Sequence, residues 1–222
     1  FRRVLFRSSK VFSREELEKI AALSIKYDAI AICDEVYEHL VYRGVEHIPL
    51  MTFPGMRNRA IRIGSAGKTF SLTGWKVGYI TACPELMLPL SKTHQFLTFT
   101  TPPNLQAGAA FGLKKETAYF VKLSRELEKR RDQLANGLSG VGMEVLKCDG
   151  TYFLTVDFRG TGFKGDDLQF CKYITEQVGV AAVPVSAFYE GDRVKNFARF
   201  CFCKEEDTLS EAVNRLRRHF DR

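Results

Sequence analysis

The stretch SAGKTFSLTGWKVGY, residues 65–79, decides the fold class of this chain. It follows the apolar run AIRIG (60–64) and places Lys68 between a glycine and a threonine. A strand that leads into a Gly-Lys turn is typical of two sites. One is a loop that binds phosphate, and the other is a site where the lysine amine reacts with a carbonyl group. The surrounding residues decide between them.

The phosphate-loop alternative fails on spacing. A P-loop needs a second glycine five residues before the glycine of the Gly-Lys pair. The residue five before Gly67 is Arg62. The acidic pair Asp34-Glu35 resembles the carboxylates that hold magnesium in such enzymes, but it precedes the lysine, and P-loop proteins have the reverse order. We therefore favour a lysine that reacts.

Apolar periodicity predicts an α/β fold for the first part of the chain. Ser13 with Glu16 three residues later forms a capping-box pattern, which predicts the start of a helix. Strands are predicted at AIAIC (29–33), which we expect to be parallel and buried on both faces, AIRIGS (60–65) and VGYITA (77–82). In layered α/β domains, ligands bind at the carboxyl ends of strands. Asp34, Ser65 and the loop that carries Lys68 lie at such ends.

The second half of the chain predicts a smaller α+β domain. Helices are predicted at 84–99, 104–115, 116–138, 165–179 and 205–220, and strands at 143–148, 151–158, 180–185 and 197–203. We assign residues 1–120 to part of a large domain with a mainly parallel sheet. Residues 121–222, including the long connecting helix, form the smaller domain.

Composition excludes several classes of function. The net charge of +7 is spread along the chain, which argues against nucleic-acid binding. No apolar run approaches the ~20 residues that span a bilayer, and no leader pattern opens the chain, so we expect the cytosol or an organelle matrix. The six cysteines form no C-x-x-C pair and no histidine has metal-ligand spacing, so we expect no metal and buried, reduced thiols.

A reactive lysine suits pyridoxal phosphate, and the needs of that cofactor select four partners for Lys68. A carboxylate must keep the pyridine nitrogen protonated, and Asp34 stands at a strand end. A hydroxyl near the ring oxygen is useful, and Tyr37 follows three residues later. Phosphate needs hydroxyl and cationic contacts, for which Ser65 and Lys76 are candidates.

Three motifs, DEVY (34–37), SAGKTFSLTGWKVGY (65–79) and ARFCF (198–202), resemble the class I/II aminotransferases of pyridoxal-phosphate fold type I. The resemblance is strongest to the branch of kynurenine aminotransferases, glutamine transaminase K and methionine aminotransferases. It covers residue 10 to the end of the chain and corresponds to the C-terminal half of that family.

The resemblance implies a role for each candidate. Lys68 corresponds to the lysine that binds the cofactor covalently and shuttles protons. Asp34 corresponds to the carboxylate at the pyridine nitrogen and Tyr37 to the phenol at the ring oxygen. Ser65 and Lys76 correspond to phosphate contacts; many relatives have arginine at the latter position.

Two further residues are assigned to substrate binding by the resemblance. Arg199 corresponds to the arginine that pairs with the substrate α-carboxylate, and Phe99 to an aromatic residue that reaches the neighbouring subunit's pocket. Each candidate also has a structural alternative. Lys68 could be a solvated loop lysine, Asp34 a helix cap, and Tyr37 or Phe99 a packing residue. Arg199 could form a structural ion pair, and the two phosphate contacts could be ordinary loop residues.

The resemblance implies a pyridoxal-phosphate aminotransferase with ping-pong kinetics that moves an amino group between an amino acid and a 2-oxo acid. The expected donors are aromatic amino acids, methionine, glutamine or kynurenine. A β-lyase acting on cysteine S-conjugates and an inactive fragment stay open as alternatives. The family also implies a homodimer.

The upstream half of the family pattern has no match in this chain. The place of the family's N-P-x-N-P-T-G segment is occupied by FRRVLFRSS, and we interpret residues 1–9 as an aberrant start. Relatives draw sheet strands and further cofactor contacts from the segments upstream. We therefore expect exposed strand edges and apolar faces, and a chain that alone folds poorly or lacks activity.

Overall fold

The computed structural model describes residues 9–191 and 194–221. These form two compact units. One comprises Val11–Lys122, and the other comprises the residues from Leu123 onward together with Ser9 and Lys10. The prediction that residues 1–9 are an aberrant start falls mostly on residues 1–8, which lie outside the described residues. Ser9 itself is buried, and its hydroxyl donates a hydrogen bond to the carbonyl of Phe153.

The first unit begins with the predicted capped helix. Its elements are α1 (Arg14–Lys26), β1 (Ala31–Asp34), β2 (Ala60–Ser65), α2 (Ala66–Thr69), β3 (Gly78–Thr81), α3 (Pro84–Leu97) and α4 (Pro103–Leu113). Ser13 accepts a hydrogen bond from the backbone of Glu16, whose carboxylate accepts one from the backbone of Ser13. The capping box predicted from the sequence is therefore confirmed. α1 buries Leu17 and Ile20 in a core that includes Ala60 of β2.

The sheet of this unit has the order β1-β2-β3. β1 and β2 are parallel and β3 is antiparallel to β2, so one of the two pairings is parallel. β1 is not buried on both faces as predicted, because Ile32 remains 57% exposed. Ala31 and Cys33, which alternate with it, pack against the core beneath α1. Only one face of this strand is thus covered.

The second unit is built on an antiparallel sheet. The long helix α5 (Thr117–Ser139) begins in the first unit and enters the second at Leu123. The other elements of the second unit are β4 (Glu144–Val145), β5 (Phe153–Asp157), α6 (Asp167–Tyr173), β6 (Val183–Pro184), β7 (Phe197–Cys201) and α7 (Glu206–Phe220). The strand order is β4-β5-β7-β6. α6 continues into a turn of π-helix at Ile174–Val178. Phe158 and Phe170 stack in its core with ring centroids 4.1 Å apart.

The cysteines depart in part from the prediction. All six are free thiols, but Cys201 and Cys203 are exposed rather than buried. Burial alternates along residues 198–203, where Ala198, Phe200 and Phe202 are buried. The two cysteines therefore share one face, but it is the exposed one. Buried Cys148 and Cys171 follow the prediction.

Among the described residues, no helix combines the length and the apolar character needed to cross a bilayer.

Candidate functional site

Lys68 lies on a helical turn at the end of a central strand. β2 ends at Ser65, and α2 begins at the next residue. The sequence predicted a loop here; the structure has one turn of helix, closed by a hydrogen bond from the Phe70 amide to the Ala66 carbonyl, 2.9 Å long. Lys68 is half-buried. The strand end and this turn hold the backbone of the lysine in a defined position.

Asp34 lies at the same edge of the sheet. It is the last residue of β1 and pairs with Ile63 of β2. The next amide, that of Glu35, donates a 2.9 Å hydrogen bond to the Ile63 carbonyl and extends the pairing by one step. Asp34 Oδ1 is withdrawn from solvent. The two parallel strands therefore bring this carboxylate to the edge from which α2 starts.

Tyr37 follows in a turn that is closed by a hydrogen bond from the Leu40 amide to the Tyr37 carbonyl. Its side chain is only 2% exposed, and its hydroxyl is withdrawn from solvent. No helix begins within residues 35–49, so the alternative that Asp34 serves as a helix cap is wrong. A carboxylate oxygen and a phenol oxygen thus lie inside the protein within one turn of chain.

The two phosphate candidates flank the pairing between β2 and β3. Ser65 pairs with Gly78, and the Ala66 amide donates to the Val77 carbonyl at 3.2 Å. Lys76 immediately precedes that pairing and is exposed. The structure therefore places Ser65 and Lys76 at the same end of the sheet as Asp34.

The chain around Lys68 is unusually constrained. Ser71 and Lys76 adopt left-handed backbone conformations, with φ of 56° and 57°. A Cβ on Gly67 would lie 2.9 Å from the Cα of Thr73, too close for any side chain without a backbone shift. Strained residues of this kind cluster at functional sites because only a tightly packed surrounding structure maintains them.

Arg199 belongs to the second unit. It lies in β7 between Thr155 of β5 and Val183 of β6. Its guanidinium carbon is 3.7 Å from the ring centroid of Phe153 and 4.4 Å from that of Phe188. Its Nε is withdrawn from solvent. Two aromatic faces thus hold the cation, which limits its orientations.

Phe99 does not pack in the core, so that alternative is wrong for this chain. It follows α3, has a left-handed φ of 62° and is 75% exposed. It lies in the first unit, and Phe96 and Leu97 at the end of α3 are exposed as well.

A buried charged cluster next to the candidate site was missed by the sequence analysis. Arg62 of β2 donates from Nε to Glu35 Oε2 at 2.8 Å and from Nη2 to Glu38. The Tyr79 hydroxyl donates to Glu38 Oε1 at 2.6 Å, and His47 Nε2 lies 3.1 Å from Glu35 Oε2. Burial raises the pKa of Tyr79 despite the nearby arginine, so its phenol stays a donor.

A signal for this cluster was present in the sequence. Arg62 interrupts the apolar run AIRIG, and an arginine inside a buried strand needs acidic partners. Two glutamates three residues apart directly after the neighbouring strand are such partners.

The residues at this edge fit the cofactor expected from the resemblance. Pyridoxal phosphate requires an amine, an anion for its pyridine nitrogen, a donor for its ring oxygen, and hydroxyl and cationic groups for phosphate. Lys68, Asp34, Tyr37, Ser65 and Lys76 supply this set at one end of one sheet. The burial of Asp34 Oδ1 and of the Tyr37 hydroxyl gives both groups the dry surroundings in which such contacts are strong.

Comparison with known proteins gives a consistent result. Residues 8–216 match the family model described as aminotransferase class I and II. The chain is 40% identical over 215 residues to the probable N-succinyldiaminopimelate aminotransferase DapC of Mycobacterium tuberculosis, with 93% of this chain and 54% of the relative covered. It is 38% identical over 229 residues to kynurenine–oxoglutarate transaminase 1 of Homo sapiens, and the match covers 94% of this chain and 54% of the relative.

Solved structures agree. The N-succinyldiaminopimelate aminotransferase from Mycobacterium tuberculosis superposes with a TM-score of 0.90 at 41% identity, covering 94% of this chain and 54% of that one. YbdL from Escherichia coli, whose crystal structure and reactivity identify a methionine aminotransferase function, superposes with a TM-score of 0.89 at 35% sequence identity, covering 95% of this chain and 55% of that one. The chain thus spans about half the length of the curated relatives that it matches. The predicted fold class and the resemblance drawn from the three motifs are confirmed.

Proposed function

Because this chain belongs to the class I and II aminotransferase family, we propose that it carries the lysine-bearing half of a pyridoxal-phosphate aminotransferase site. The single observation that carries the proposal is the placement of Lys68. It stands on a helical turn at the carboxyl end of β2, and the parallel pairing with β1 brings Asp34, whose Oδ1 is withdrawn from solvent, to the same edge. An amine and a partly buried carboxylate at the same sheet edge suit chemistry that needs an electron-accepting ring.

When bound, pyridoxal phosphate supplies a ring that accepts the electrons released at the substrate Cα. Lys68 Nζ would hold the cofactor in the resting site and, once displaced by substrate, remove the proton from Cα. Asp34 would keep a proton on the pyridine nitrogen. The Tyr37 hydroxyl would donate to the ring oxygen, and the Ser65 hydroxyl and the Lys76 ammonium would bind phosphate.

Arg199 would bind the α-carboxylate shared by amino-acid and 2-oxo-acid substrates, since its planar guanidinium pairs with carboxylates in bidentate fashion. Its aromatic contacts favour this role by fixing the plane of the guanidinium. We propose aromatic amino acids, methionine, glutamine or kynurenine as donors, and a homodimer in which Phe99 reaches the pocket of the partner subunit. The proposed compartment is the cytosol or an organelle matrix.

The test is a transamination assay with the purified chain, pyridoxal phosphate and pyruvate as acceptor. The donor panel contains kynurenine, methionine, glutamine, phenylalanine and N-succinyl-diaminopimelate, the last because of the relative's name. Formation of the 2-oxo acid that is abolished in Lys68→Ala would support the transaminase. Pyruvate released from a cysteine S-conjugate without an acceptor would indicate the β-lyase instead. No turnover of any substrate would support the inactive fragment.

A further inference from the structure

One arginine binds the segment that carries two proposed cofactor contacts. Residues 34–38 form the end of β1 and the turn after it. Asp34 and Tyr37 are cofactor candidates, whereas the carboxylates of Glu35 and Glu38 accept hydrogen bonds from Arg62. All three charged side chains of this cluster are largely buried. Arg62 lies on the neighbouring strand, three residues before Ser65.

The chemistry of the arginine suits this task. A guanidinium offers donors in a rigid planar fork, so it can hold two carboxylates in a fixed relation, which a lysine ammonium cannot do. Hydrogen bonds to ionised groups are also stronger than neutral ones. Glu38 is held from its other oxygen by the Tyr79 hydroxyl, and Glu35 is additionally contacted by His47.

The contacts join the two parts of the proposed site. Arg62 and Tyr79 lie on β2 and β3, which flank the Lys68 turn, and their acidic partners lie on the segment with Asp34 and Tyr37. Backbone pairing fixes β1 only as far as Glu35, whose amide bonds to Ile63. Beyond that residue, Arg62 and Tyr79 both contact Glu38 and so connect the segment to the sheet through side chains.

We propose that Arg62 is a positioning residue that fixes the Asp34–Tyr37 segment, through Glu35 and Glu38, in the geometry required to bind pyridoxal phosphate. The proposal rests on the proposed function, because it assumes that this segment faces the cofactor. It goes beyond that function because it assigns a role in cofactor binding to a residue that would touch neither the cofactor nor the substrate. Outer partners of this kind typically change ligand affinity by ~10–100-fold when removed, as measured for groups that orient metal ligands.

The experiment measures the dissociation constant of pyridoxal phosphate from its visible absorbance, together with the thermal midpoint of unfolding. Arg62→Met removes the fork and keeps the length of the side chain. The matched control is Arg59→Met, which removes a partly buried arginine of the same unit that pairs with the exposed Asp28 at 3.0 Å. We expect Arg62→Met to bind the cofactor at least about tenfold more weakly and Arg59→Met to bind it within about twofold of the parent chain.

A double variant separates positioning from stability. Removing Arg62 alone leaves two buried carboxylates close together, which lowers the thermal midpoint. Arg62→Met with Glu38→Gln removes one of those charges, so it should recover most of the midpoint while cofactor binding stays weak. Arg62→Lys should give intermediate binding. The pH at which the bound cofactor changes colour should also shift in Arg62→Met, because Asp34 is no longer held in place.

The outcomes distinguish this inference from the function on which it rests. If the parent chain binds no pyridoxal phosphate at Lys68, both the proposed function and the positioning role of Arg62 are refuted. If the parent chain binds it and Arg62→Met binds it equally well, only the positioning role is overturned. If the double variant recovers cofactor affinity together with the thermal midpoint, Arg62 acts only through stability and the inference is wrong.

Discussion

Replacing Gly67 with alanine should destabilise the first unit and disturb the position of Lys68. The new Cβ would lie 2.9 Å from the Cα of Thr73, whereas ordinary contacts begin at 3.4 Å. The neighbouring atom belongs to the backbone, so no side-chain rotation can relieve the clash. The Thr73 hydroxyl and the Leu72 amide also bond to the Gly67 carbonyl, at 3.2 and 3.0 Å, which ties this turn to its neighbour.

The expected size follows from two opposing effects. Overpacking typically costs about 1–3 kcal/mol, whereas replacing a helical glycine with alanine gains about 0.5–1 kcal/mol. Subtracting the gain from the cost leaves a net loss of up to about 2.5 kcal/mol in the free energy of unfolding, with about 1 kcal/mol expected. In a chain of this size, each kcal/mol corresponds to roughly 2–4 °C in the thermal midpoint.

The assay compares Gly67→Ala with Gly74→Ala in thermal unfolding and in cofactor labelling of Lys68. Gly74 lies in the same loop, but a Cβ there would meet no atom within 4 Å. We expect Gly74→Ala to retain the parent midpoint and labelling, and Gly67→Ala to lower both. Equal midpoints for Gly67→Ala and the parent chain would refute the assignment of this turn as a close-packed support for Lys68.

Three further outcomes are expected. Ser13→Ala should lower the free energy of unfolding by about 1 kcal/mol, because it removes the N-cap of α1; an unchanged urea midpoint would contradict the capping box. Phe188→Leu should raise the KM for the amino-acid substrate several-fold with less effect on kcat, because one of two rings that hold Arg199 is lost; an equal KM would argue against that role. At pH 8, iodoacetamide followed by peptide mass spectrometry should modify exposed Cys201 well before Cys148, because burial raises the pKa of the Cys148 thiol to about 11; equal rates would contradict the burial.

Local patterns in the sequence predicted much of the fold. The strand AIRIGS was predicted over the same residues that form β2, and the capping box located the start of α1 correctly. Both depend on neighbours within a few residues, which the sequence displays directly. The direction of β3 and the exposure of Ile32 depend on which elements cover the sheet, and periodicity alone carries no such information.

The candidate site divides in the same way. Lys68 and Asp34 stand at strand ends that the sequence already indicated. The cluster around Arg62 was missed because its partners Glu35 and Glu38 lie 27 and 24 residues away along the chain. The alternation FCFC predicts that Cys201 and Cys203 share one face, but it does not show which face is covered, and Phe200 and Phe202 occupy the buried one.

The assignment of Lys68 is tested most directly by trapping the cofactor on the protein. The purified chain is incubated with pyridoxal phosphate, reduced with borohydride and digested, and the modified lysines are identified by mass spectrometry. Lys68→Ala serves as the matched control, with the exposed Lys92 of α3 as an internal reference for non-specific reaction. A dominant modification at Lys68 that disappears in Lys68→Ala is the expected result. Modification scattered over exposed lysines, with no preference for Lys68, would contradict the proposed site.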